Sequence, residues 1–173
     1  MRLVWNSECF SKSNEAMTFA SQASAAAVLV TATLCLQCAG MAALIRWTRI
    51  TIARGIRGLG AWRSAVLMIR FTIAVIGLHL LQILLWAMFY RWRCLSSWES
   101  SFYFSATSYS TVGYGDIVLP QLWRILGPVE SVLGMLMCGI SVSGLFAITL
   151  RLVETDNRSS TEAATDRISV SVP

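Results

Sequence analysis

The chain has 173 residues, 55% of them apolar and only 13% charged, with a mean hydropathy of +0.61; that is one domain's length with the wrong composition for a soluble one. The net charge of +5 comes from thirteen arginines beside a single lysine, Lys12. With no basic-and-aromatic recognition motif alongside, the excess sets membrane orientation and argues against nucleic acid as a partner. No phosphate-binding lysine loop and no HExxH motif occurs, and His79 is the lone histidine without a nucleophile partner, so nothing supports an enzyme.

Residues 1–24 are polar and mixed in charge, without sustained periodicity, and are expected to form an N-terminal extracytoplasmic segment. Residues 25–45 then carry no charge, enough to cross about 30 Å of hydrocarbon as a helix, so 25–46 is an additional transmembrane helix. A cleaved signal peptide is the competing reading. The run begins late, however, and ends in arginine and tryptophan rather than at a small-residue cleavage site. Cys35 and Cys38 have CxxC spacing inside this run, with no histidine or second pair near them. They read as small apolar residues on a membrane helix rather than a metal or redox site.

Arg46, Arg49, Arg54, Arg57 and Arg63 follow with no acidic residue, interrupted by Gly55, Gly58 and Gly60. Residues 47–64 are therefore a basic cytoplasmic linker. A voltage-sensing helix would repeat arginine at every third position within an apolar run, which this spacing does not do. The next span covers 65–90, where Arg70 near its start can snorkel to the interface. It contains His79 and Gln82; His79 is expected to face a neighbouring helix, with a proton sensor as the alternative.

Residues 98–109 make about three turns of aromatic-rich amphipathic helix, too short to cross a bilayer. The last span, 128–150, opens with Pro128 and Glu130, both suited to a helix's first turn. The tail, 151–173, is rich in Ser, Thr and charge and is expected to be disordered; it is too short for a nucleotide-binding or calcium-sensing domain. Five cysteines make no disulfide framework, although Cys9 and Cys94 would share a compartment and a bridge between them is possible. Trp47 and Trp62 fall at one set of span ends and Trp86, Trp92, Trp98 and Trp123 near the other, the pattern of an interfacial belt. The linker arginines stay cytoplasmic, which puts the N-terminus and 91–127 outside and the tail inside.

Between the second and third spans, residues 111–116 read Thr-Val-Gly-Tyr-Gly-Asp. Glycines at alternate positions tolerate positive φ, so successive carbonyls can turn toward one axis and replace the water around a cation. Irregular backbone at membrane depth is tolerated only where protein surrounds it or water reaches it. A short descending helix followed by an ascending strand meets that constraint, and the helix C-terminus would favour a cation below it.

This hexapeptide, with its flanking helix and spans over 65–150, resembles the pore region of tetrameric potassium channels of small bacterial type, in which carbonyl rings of this motif form the filter. The resemblance implies an all-α integral membrane protein with three transmembrane helices, a re-entrant pore helix and a selectivity filter. Potassium, the permeant ligand in place of any cofactor, would bind the carbonyls of Thr111, Val112, Gly113 and Tyr114 and the Thr111 hydroxyl. The Tyr114 ring would point away from the ion and brace the filter, Gly115 would permit the exit turn, and Asp116 would form an acidic ring at the outer mouth. Gly139, with Gly134 as rival, maps onto the gating hinge of the inner helix. The partners implied are three further copies, in a homotetramer, and membrane lipid, in a bacterial inner membrane. Two departures are visible: Tyr103 and Phe104 stand where many such channels carry a Trp pair, and Thr107 where some carry a glutamate bonded to the filter aspartate. A nonselective cation channel and a non-conducting accessory subunit share the architecture and are the alternatives.

Overall fold

Long helices follow from a chain whose apolar runs hold few glycines and no proline beyond Pro128 in the first turn of α4, in a setting where backbone groups must be satisfied within the segment. The structure, a computed structural model, describes the backbone of residues 2–53 and 61–170, and side chains chiefly over 20–51 and 64–154. Helix α1 is Arg2–Ala53, α2 is Ala61–Arg93, α3 is Trp98–Tyr109 and α4 is Leu126–Val170, with a single 3-10 turn at Gln121–Trp123. Among the described residues there is no β-sheet, and 111–116, called a strand below for its path alone, is irregular backbone. Three segments are long and apolar enough to cross a membrane: Ala20–Thr51, Ser64–Arg93 and Gln121–Glu154. Large apolar side chains such as Val28, Ile73, Val132 and Phe146 stand exposed along them, as expected of helices whose solvent is lipid.

Helix extends beyond the expected spans in two places. Residues 2–24 are helical and continuous with the first span, and α4 runs on through Val170 where 151–173 is expected to be disordered. Neither 2–24 nor 151–170 contains a glycine or proline, so nothing local ends the helix. Helix also takes in both ends of the expected 47–64 linker, because α1 reaches Ala53 and α2 begins at Ala61. Arg54 and Arg57 lie outside the described residues, as does the Cys9 side chain. The expected pairing of Cys9 with Cys94 therefore falls outside the described residues; burial pushes the Cys94 thiol up to about 11, and it stays protonated at neutral pH. Cys35 and Cys38 are free and exposed on α1.

The chain divides into two compact units. The first comprises residues 1–36 and 80–137 and contains α3 and the segment after it. Its core joins Leu29 of α1, Trp86 and Tyr90 of α2, Tyr109 of α3, and Leu126 and Leu133 of α4. Polar bonds tie the same helices. Trp86 Nε1 donates to Thr33 Oγ1 at 3.0 Å, and the Tyr109 hydroxyl donates to Gln82 Oε1. Aromatic edges fill the space between, with Tyr90 and Phe104 ring centres 5.1 Å apart and Phe89 and Trp123 5.4 Å apart. Helix α2 closes with the amides of Cys94 and Leu95 both donating to the Tyr90 carbonyl, and Arg91 and Arg93 suit its negative C-terminal end.

The second unit comprises residues 37–79 and 138–173. Here Gln37 of α1 donates from Nε2 to Ser141 Oγ of α4 at 3.0 Å, and Ser141 Oγ lies 3.0 Å from His79 Nε2 of α2. His79 therefore faces neighbouring helices. Gly40 lets α1 approach Leu78, since a Cβ there would sit 2.6 Å from the leucine's Cδ1. The Arg70 guanidinium lies over the Trp47 ring, 5.2 Å from its centre.

Candidate functional site

Helix α3 starts after Ser97, whose extended backbone (φ −115°, ψ 141°) occupies the N-cap, and Glu99 sits in the first turn where the helix dipole favours it. At about 18 Å it covers roughly half a bilayer core. Its far end leads straight into Thr111–Asp116. The Thr111 amide donates to the Ser108 carbonyl at 3.0 Å, and the amides of Val112 and Gly113 both donate to the Thr107 carbonyl at 3.0 and 3.1 Å. Three consecutive N–H groups of the strand are thus turned back onto the end of α3. Among the described residues, no backbone N–H donates to any carbonyl from 111 to 115.

Backbone handedness explains how this arrangement holds. Thr111, Gly113 and Gly115 have φ of 62°, 51° and 77°, whereas Val112 and Tyr114 do not have positive φ. Alternating left- and right-handed residues counter-rotate successive peptide planes, so carbonyls that would alternate in a β-strand can share one side. Glycine adopts positive φ at no steric cost; Thr111, as a β-branched residue, adopts it against its preference. The sequence makes the two glycines legible, but not the strain at Thr111.

The strand is open to solvent in the single chain, with Val112 52% and Tyr114 72% exposed. A groove of 360 Å³ runs beside it, with Thr111 and Gly113 on one wall and Gly127 and Ser131 of α4 on the other. The Tyr114 ring turns back and stacks on Tyr103 of α3, ring centres 6.4 Å apart and planes inclined by 15°. A hydrogen bond to Asp116, together with the charge of that carboxylate, pushes the Tyr103 hydroxyl up. Tyr103 thereby touches both Tyr114 and Asp116, a role the sequence leaves unread because stacking depends on the path of the strand. Thr107 does not substitute for a glutamate, since its hydroxyl bonds back to the carbonyls of Tyr103 and Phe104.

Helix α4 backs this assembly. Ser131 Oγ donates to the Ser108 carbonyl at 2.6 Å, and Gly127 admits Phe104 so closely that a Cβ would lie 3.2 Å from its ring. Gly134 packs directly on the Tyr109 backbone carbonyl and leaves no room for a Cβ. Gly139, by contrast, has nothing within 4 Å of its Cβ direction. Glu130 is wholly buried and is hydrogen-bonded to Tyr90 of α2 and Ser105 of α3, beyond the dipole role its first-turn place predicts. The signal for that burial was present: positions 126, 130, 133 and 137 share one helix face, and Leu126, Leu133 and Met137 are all buried.

The helical fold and the short helix between two spans define an integral membrane protein with a pore-type domain. The family model described as "Ion channel" matches residues 66–151, from α2 through α3 into α4, and this part of the chain is an ion-channel domain. No curated protein and no solved structure gives a match.

Proposed function

We propose that four copies of this chain surround an axis and conduct potassium passively along their 111–115 backbones. The observation that carries this reading is the strand itself, with alternating backbone handedness, amides spent on α3 and carbonyls unclaimed by any backbone donor among the described residues. A dehydrated cation needs that commodity, a stack of oxygens without competing protons. Thr111 adds its hydroxyl to its carbonyl at the inner end, Val112, Gly113 and Tyr114 supply the rings above, and Asp116 forms the outer mouth. One strand cannot enclose an ion. An exposed irregular strand at membrane depth requires protein or water around it, and further copies supply both.

The stacking of Tyr114 on Tyr103 supports potassium over a nonselective pore, because the aromatic ring holds the strand from behind at a width set by α3. The arginines between the first two spans orient the N-terminus outside and the α4 tail in the cytoplasm of a bacterial inner membrane. Outward apolar faces contact lipid. Gly134 has a packing reason to be glycine and Gly139 has none, which favours Gly139 as the hinge that opens the inner helix.

The test is flux in liposomes under bi-ionic potassium and sodium gradients. The wild-type protein is expected to give a potassium-selective reversal potential that barium abolishes. Tyr114→Asp is expected to shift that potential toward zero while assembly survives. An unchanged potential in the variant refutes the filter assignment, equal sodium permeability in the wild type makes it a nonselective channel, and no flux makes it an accessory subunit.

A further inference from the structure

Glu130 is fully buried among α2, α3 and α4. Its Oε2 lies 2.8 Å from the Tyr90 hydroxyl of α2, and its Oε1 lies 2.5 Å from Ser105 Oγ of α3. Ser105 Oγ lies in turn 2.9 Å from the Ile83 carbonyl of α2. These three contacts require three hydrogens. Tyr90 and Ser105 hold one each, and a carbonyl can only accept. If Glu130 were a carboxylate, Ser105 would have two acceptors and one hydrogen. With a proton on Glu130 every group is matched: Glu130 donates to Ser105, Ser105 donates to Ile83, and Tyr90 donates to the other carboxyl oxygen.

The surroundings fit a neutral acid. Tyr90 and the Ile83 carbonyl face the group from α2 and Ser105 faces it from α3, with the Cys94 thiol beside Tyr90. Among the described residues the groups acting on Glu130 are Ser105 and Tyr90, and none of them is a cation that offsets a charge. An unpaired carboxylate buried in this way is costly. Ser105 lies two residues before Thr107, whose carbonyl anchors the Val112 and Gly113 amides. Whatever fixes Ser105 fixes the helix end from which the strand departs.

Building on the conduction reading above, we infer that Glu130 is a positioning residue for the 111–115 strand, acting as a hydrogen-bond donor to Ser105 rather than as a charge. The carboxyl brace then stands behind the pore helix, in a chain whose position 107 carries none.

The inference is tested on the full chain in lipid by hydrogen exchange of the peptide covering 110–116, by infrared spectroscopy and by flux across pH. Glu130→Gln, whose amide donates to Ser105 and accepts from Tyr90, is expected to exchange at the wild-type rate. Glu130→Ala and Ser105→Ala are expected to exchange several-fold faster; the second keeps the test open if the first does not fold. A protonated-carboxyl carbonyl band is expected in the wild type at neutral pH and absent from Glu130→Gln. Flux is expected to fall as pH rises in the wild type, because losing the proton removes the third hydrogen, and to stay flat in Glu130→Gln. Glu130→Gln exchanging as fast as Glu130→Ala, or no band in the wild type, overturns the donor role. Wild-type exchange in both alanine variants overturns the positioning role. A wild type that passes no potassium defeats the conduction reading alone, since exchange and infrared need no flux.

Discussion

Glycines at 134 and 139 look alike in the sequence, each inside an apolar helix, yet their surroundings oppose one another. The Gly134 hydrogen faces the Tyr109 carbonyl, so a methyl group there must push α4 off the end of α3. Overpacking of this kind typically costs about 1–3 kcal/mol. Gly139 faces open space, where alanine favours the helix by up to about 1 kcal/mol. Gly134→Ala is therefore expected to lower the thermal unfolding temperature in detergent, and Gly139→Ala to hold or raise it. If Gly139 bends during opening, Gly139→Ala also lowers flux despite its stability; unchanged flux removes it as the hinge. The same scale separates what could be read at Glu130. Its spacing from Leu126, Leu133 and Met137 marks the buried face, whereas its bonds to Tyr90 and Ser105 depend on two other helices and leave no local trace.

Between elements, small polar side chains do much of the joining, because lipid gives apolar helices little reason to prefer each other over acyl chains. In the first unit the N-terminal helix is held to α2 by Thr33, which accepts from the fully buried Trp86 indole. Thr33→Val keeps the volume and removes the acceptor, leaving a buried N–H unpaired. The general cost is about 1–3 kcal/mol, although interhelical bonds in membranes average nearer ~0.6 kcal/mol. A lower unfolding temperature is expected for Thr33→Val and a near wild-type one for Thr33→Ser; equal temperatures in all three mean the bond contributes nothing. The apolar spans were legible in the sequence because twenty or so charge-free residues have one stable form in hydrocarbon. The helical extensions were not. Composition predicts a tail too polar to bury a core, whereas a helix already nucleated in the span propagates at little cost where no breaker stands between 151 and 170.

At the scale of the whole molecule, the 111–116 segment is exposed with a groove beside it, which on the conduction reading proposed above is where further copies would meet. Native mass spectrometry of the protein released from lipid is expected to give a tetramer. A monomer or dimer that still conducts would remove the shared-filter mechanism. The sequence by itself determined three membrane spans, the arginine asymmetry and a hexapeptide able to present carbonyls, since hydropathy, charge and glycine's φ range are local properties. Tertiary structure alone decided that Tyr103 backs Tyr114, that Gly134 is a contact and Gly139 a gap, and that Glu130 closes a three-helix hydrogen-bond network. Each of these turns on which faces of separate helices meet, and that is set only when α2, α3 and α4 pack.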